Sequence, residues 1–123
     1  MRKSAKMIAA ASTVALLLGS MTMLPTQSAL ADDDLVKQGK KIAENRKQGN
    51  CVTCHAYKGA NMPGNIGPPL VAMKARYPDK QKLYDQIWDS NKTNPISSMP
   101  PFGRHGILSD KEIKAITEWV YTL

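Results

Sequence analysis

Apolar residues recur at three- and four-residue intervals in several separate stretches of the chain, and the segments between them have no period. Near the C-terminus, Ile113, Ile116, Val120 and Leu123 fall on one helical face. Ser109-Asp110-Lys111-Glu112 precedes them with the Ser-x-x-Glu spacing of a capping box, so a helix is predicted to start there. An N-terminal helix is predicted to carry Leu35, Val36, Gly39, Ile42 and Ala43, with Asp32 to Asp34 placing negative charge at its start. Gly39 inside that helix costs about 1 kcal/mol relative to Ala. It therefore reads as a close helix crossing, with Trp119 as the side chain that fills it; the alternative is a loosened, exposed turn. Pro78 and Asp79 open a third helix bearing Leu83 and Ile87, with Tyr84 and Trp88 beside them. A shorter helical turn is predicted within Leu70 to Tyr77, with Met73 on its core side. No stretch alternates with period two and no repeat is present, so the chain reads as all-α.

Composition changes the picture at the N-terminus. Arg2, Lys3 and Lys6 precede an uncharged apolar stretch from Met7 to Leu18, and Ala29-Leu30-Ala31 offers small residues just before the aspartates. This is the pattern of a secretory signal peptide, residues 1–31, cleaved to leave one domain at 32–123. Ser12, Thr13, Ser20, Thr22, Pro25, Thr26, Gln27 and Ser28 dilute Met7 to Ala31 too heavily for a bilayer core, so no membrane association is expected after cleavage. Cleavage removes three basic residues and no acidic ones, lowering the formal charge from +7 to +4. The remaining Lys and Arg are scattered with little aromatic interleaving, which argues against a nucleic-acid groove. A domain of this size has a marginal apolar core, and a cofactor or cross-link often supplies the missing stability.

Cys51-Val52-Thr53-Cys54-His55 is a C-x-x-C-H sequence, the attachment signature of c-type haem. Two thiols three positions apart reach two vinyl groups on one porphyrin edge to form thioethers, and the adjacent imidazole is directed at the iron. A redox dithiol would sit near a βαβ pattern, which the Pro- and Gly-rich residues after Tyr57 do not provide. A structural zinc needs four ligands, and one Cys pair with two histidines 50 residues apart lacks that spacing. One covalent haem c is the expectation.

A proximal imidazole is held in one tautomer by an acceptor for its second ring N–H. Gly67-Pro68-Pro69-Leu70 resembles the cytochrome c loop in which a proline carbonyl has that role, and the resemblance assigns it to Pro68; the alternative is a plain rigid turn. For the sixth ligand the choices are Met62, Met73, Met99 and His105. Met62 is too near His55 along the chain to cross the ring edge comfortably, and Met73 belongs to the core. Met99 lies between Asn94-Pro95-Ile96-Ser97-Ser98 and Pro100-Pro101-Phe102-Gly103, a loop whose prolines hold a thioether at low ordering cost. Met99 is preferred, with His105 as the alternative that would give bis-histidine ligation. A thioether raises the reduction potential relative to a second imidazole.

The strings Pro63-Gly64-Asn65-Ile66-Gly67-Pro68-Pro69-Leu70 and Met99-Pro100-Pro101-Phe102-Gly103-Arg104-His105-Gly106-Ile107-Leu108 resemble the SoxX family, the monohaem subunit of the SoxAX complex of bacterial thiosulfate oxidation. The resemblance runs from about Gly49 to Leu123. It implies a class I cytochrome c-like fold around one haem, with Cys51 and Cys54 as thioether positions and His55 and Met99 as axial ligands. It further implies a periplasmic heterodimer with SoxA, which joins thiosulfate to a cysteine of the carrier SoxYZ while this chain passes the electrons to a soluble cytochrome c. The absence of a third cysteine agrees with an electron-accepting subunit that does not itself form the sulfur bond. The other function weighed is a freestanding diffusible carrier. A dedicated subunit is expected to expose an apolar patch at the haem edge including Phe102, Ile107 or Tyr57. Arg104 has two readings, as a partner for a haem propionate or as a solvated surface residue.

Overall fold

Five helices form around a buried apolar cluster in the structure, a computed structural model that describes residues 27–123. They are α1 (Gln27–Glu44), α2 (Met73–Arg76), α3 (Lys80–Trp88), α4 (Ser90–Thr93) and α5 (Asp110–Val120), with a 3-10 turn at Cys51–Thr53. No strand is present among the described residues, so the fold is all-α. Most of the expected leader, residues 1–26, lies outside the described residues.

The predicted capping box at α5 forms in full. The Ser109 hydroxyl accepts from the Glu112 backbone N–H, and the Glu112 carboxylate accepts from the Ser109 backbone N–H at 2.8 Å. Two of the four donors left open at a helix start are thereby satisfied. The helix then buries Ile113, Ala115, Ile116, Trp119 and Val120. Full burial of a side chain such as Ile113 or Ile116 contributes roughly 1.5–3 kcal/mol, which makes α5 the centre of the core. Asp79 caps α3 by accepting from Gln81 N at 2.9 Å, and Leu83 and Ile87, four residues apart, turn inward. Leu123 lies beyond α5, and its carbonyl accepts from Met73 N at 2.9 Å, anchoring the chain end to α2.

One expectation needs correction and one depends on processing. α1 runs from Gln27, so in the uncleaved chain Asp32 to Asp34 stand exposed within it, where Asp33 and Asp34 pair loosely with Lys37 at 3.7 and 3.9 Å; cleavage after Ala31 would make them its first residues. The helix crossing at Gly39 is present, but Trp119 does not fill it. A Cβ on Gly39 would lie 1.9 Å from the Ala115 carbonyl oxygen and 2.9 Å from Ile116 N, so two backbones meet there with no side chain between them. Trp119 packs instead edge-on to Tyr57, with ring centroids 5.1 Å apart at 83°. The Tyr57 hydroxyl donates to Glu44 at 2.5 Å. This one aromatic residue joins the end of α1 and the face of α5 to the segment carrying the C-x-x-C-H sequence.

Candidate haem site

A tight turn after α1 delivers the two cysteines. Gly49 N donates to Ile42 O at 3.1 Å, and Asn50, at φ 49°, adopts the left-handed conformation that asparagine tolerates better than most residues. The Asn50 side chain accepts from the Thr53 hydroxyl at 2.7 Å. Cys54 N and His55 N both donate to Cys51 O, at 3.1 and 2.9 Å, winding the segment into a helical turn. In such a turn residues three apart lie one above the other, so Cys51 and Cys54 share an edge. Both thiols are free. Burial pushes the Cys51 thiol up to about 11, so at neutral pH it is protonated when no thioether has formed.

The next loop is laid along this turn by its backbone. Gly64 N donates to Val52 O at 2.9 Å, Gly67 N to Cys54 O at 2.8 Å and Leu70 N to Ala56 O at 2.7 Å. These bonds bring Pro68 O to 2.7 Å from His55 Nδ1. A carbonyl oxygen only accepts, so Nδ1 is the donor, and in the neutral ring this tautomer has its lone pair on Nε2. The imidazole also lies against Gly67, where a Cβ would fall 2.4 Å from His55 Cε1 and 2.6 Å from Nδ1. Arg76 donates to Pro69 O at 2.8 Å and steadies the far side of the same turn.

Met99 is half-buried against the core on the long loop between α4 and α5. The residues that fasten this loop carry no sequence signal of their own. Ser90, with none of its surface exposed, donates through its hydroxyl to Met99 O at 2.5 Å. Met99 N donates to the Ser97 hydroxyl at 3.2 Å. Gly103 N and Arg104 N both reach Trp88 O, at 3.1 and 3.2 Å, and the Trp88 ring lies where a Gly103 Cβ would be. Of the competing ligands, Met73 is buried in the core as expected, His105 is exposed, and Met62 is 79% exposed on the loop that runs beside His55. The Arg104 guanidinium pairs with Asp89 at 3.4 Å and Asn91 at 3.3 Å. The anticipated apolar patch is corrected in two of its three members: Phe102 and Tyr57 are buried, and only Ile107 is exposed.

The donor set fits a covalent haem. It comprises two free thiols on one edge and an imidazole whose Nδ1 is satisfied by Pro68. Near them in sequence, Ile66, Val71 and Ile96 are apolar and at least half exposed. Among the described residues no three His, Cys, Asp or Glu come together as a site for a bare metal ion.

A family model described as cytochrome c oxidase, cbb3-type, subunit III matches residues 34–120. The chain belongs to this family. It is therefore a c-type cytochrome domain, a class of electron-transfer haem proteins, and membership does not single out SoxX within that class. A relative named an uncharacterized lipoprotein, from Aquifex aeolicus, is 34% identical over 76 residues; these make up 61% of this chain and 37% of the relative. The match thus spans little more than a third of that relative's length. No helix among the described residues of this cytochrome domain is long and apolar enough to cross a membrane.

Proposed function

We propose that this chain is the haem-bearing, electron-accepting subunit of an exported complex, with Cys51 and Cys54 as thioether positions, His55 as proximal ligand and Met99 as distal ligand of a single haem c. The observation that carries the reading is the 2.7 Å contact between His55 Nδ1 and Pro68 O, which fixes the tautomer and leaves Nε2 free for iron. When bound, the haem supplies one-electron Fe(III)/Fe(II) chemistry. Gly67 gives the imidazole room, and the backbone bonds from Gly64, Gly67 and Leu70 hold it in place. The Met99 loop, fastened by Ser90 and Ser97, would hold a thioether for the iron, a ligation that need not change on electron transfer.

Within this reading the partner is SoxA and the setting is periplasmic thiosulfate oxidation. Electrons released as thiosulfate is joined to a cysteine of SoxYZ are accepted by this chain and passed to a soluble cytochrome c. The support is the pair of strings at residues 63–70 and 99–108, together with the exposed Ile107 at the end of the second. The leader pattern at residues 1–31 and the name of the Aquifex relative support an extracytoplasmic location. The test is purification of the exported native protein by gel filtration, followed by mass measurement of each component. The expected result is one haem's added mass on this chain and co-elution with a second cytochrome that conjugates thiosulfate. Elution alone would refute the subunit assignment in favour of a freestanding carrier, and the bare polypeptide mass would refute the haem itself.

A further inference from the structure

We infer that Ser90 and Ser97 are positioning residues that clamp the main chain of Met99 from both sides, and so set how firmly its thioether is held at the distal position. The inference deepens the proposed function and rests on Met99 being the distal ligand.

The geometry is specific to this one residue. Met99 N donates to Ser97 Oγ at 3.2 Å, and Met99 O accepts from Ser90 Oγ at 2.5 Å. Both peptide groups flanking the Met99 side chain are thus fixed by hydroxyls. Pro100, which follows, has no N–H and can donate no bond of its own. Ser90 is wholly buried, and its hydroxyl has no solvent to fall back on, so its bond to Met99 is satisfied inside the protein or not at all. Ser90 is itself held by the residues that precede it. Asp89 caps the short α4, and the preceding residue, Trp88, receives Gly103 N and Arg104 N from the far end of the Met99 loop. Asn91 adds longer contacts to Pro95 O at 3.5 Å and Ser97 O at 3.4 Å. Residues 88–91 are therefore a hub gripping the loop before, at and after Met99.

A loop tied only at its ends would let the thioether swing away whenever another ligand competed for the iron. The two hydroxyls oppose that motion at Met99 itself. Replacing Ser90 with Ala strands the Met99 carbonyl, and losing a buried bond of this kind is worth about a tenfold change in equilibrium. The predicted consequence is local: displacement of the thioether becomes easier, beyond any general loosening of the fold.

The experiment titrates the ferric, haem-loaded protein with imidazole at fixed pH and follows the weak red-edge absorption band of a thioether-ligated ferric iron. Reduction potentials and melting temperatures are recorded in parallel. Ser90→Ala is expected to bind imidazole about tenfold more tightly than wild type and Ser97→Ala to shift in the same direction by less. Ile116→Val, a core change at the α1–α5 contact, should lower the melting temperature with unchanged imidazole affinity. If both serine variants melt earlier yet titrate like wild type, the clamp is refuted while Met99 remains the ligand. If the wild-type protein lacks the thioether band, the distal assignment and the clamp fail together. Should Ser90→Ala not fold, Ser97→Ala, at a half-buried position, decides the question alone.

Discussion

Replacing Gly39 with Ala sets two physical effects of opposite sign against each other. On helix propensity alone the change stabilises α1 by about 1 kcal/mol. Packing opposes it, since the new Cβ would stand 1.9 Å from Ala115 O and 2.4 Å from Ala115 C, where ordinary contact begins at 3.4 Å. Both are main-chain atoms of α5 and cannot swing aside, so the helices must part by about 1.5 Å at the crossing, given that contact distances are about 3.5 Å. Overpacking of this kind costs typically 1–3 kcal/mol. A gap of this size also forfeits up to about half of the dispersion well for side chains beside the crossing, among them Ile42, Ala43 and Ile116. Together these outweigh the gain of about 1 kcal/mol and leave a net loss of about 1–2 kcal/mol. For a domain of this length each kcal/mol lowers the melting temperature by about 4–8 °C, so a fall of at least about 4 °C is expected. Thermal unfolding of the haem-loaded protein followed by far-ultraviolet circular dichroism measures it, with the exposed Gln38→Ala on the same helix as a control that should move little. A Gly39→Ala protein melting at or above wild type would refute the backbone crossing and restore the reading of a loosened turn.

Gly67→Ala should drive the His55 ring off Pro68, because the added Cβ would lie 2.4 Å from Cε1; an unchanged ferric absorption spectrum and reduction potential would contradict this. Ser109→Ala removes the α5 capping box and should cost about 1 kcal/mol in denaturant unfolding, whereas Ser98→Ala, on an exposed loop, should cost almost nothing. The Glu112 carboxyl is held below its ordinary value of 4.5, first by the Ser109 backbone N–H and then by the Ser109 hydroxyl. A depressed folded-state value gives stability that is complete above about 4.5 and is lost as the pH falls below it. Glu112→Gln should therefore flatten the acid limb of a stability profile taken by urea melts, and parallel limbs for the two proteins would count against the cap. Tyr57→Phe deletes the bond to Glu44 but keeps the ring against Trp119, so melting should fall while the ferric spectrum is unchanged; the reverse pattern would show that Tyr57 acts on the haem.

The parts of the fold that were legible beforehand are those written in periodicity and caps. Ile113, Ile116 and Val120 behind Ser109 and Glu112 specify α5 so fully that its start and buried face follow from the residues alone. The cysteine and histidine spacing likewise announces its own chemistry. α1 begins ahead of the three aspartates in the uncleaved chain because nothing in Gln27 to Ala31 breaks a helix running into them, and cleavage after Ala31 would leave the aspartates as its first residues. The burial of Phe102 and Tyr57 is not legible in the sequence because both sit in aperiodic loops, where only tertiary contact decides which aromatic turns inward. Ser90 could not be foreseen, since a serine between Asp89 and Asn91 reads as a solvated turn and only the folded chain puts it beneath Met99.

The three rungs joining Gly64, Gly67 and Leu70 to Val52, Cys54 and Ala56 are made wholly from amide groups. The scaffold beneath the imidazole is thus indifferent to most side chains that decorate it. Asn65, Ile66 and Val71, all exposed, can be exchanged to suit a new docking surface without disturbing the ligand frame. A protein so built can change whom it meets while preserving how it holds its iron.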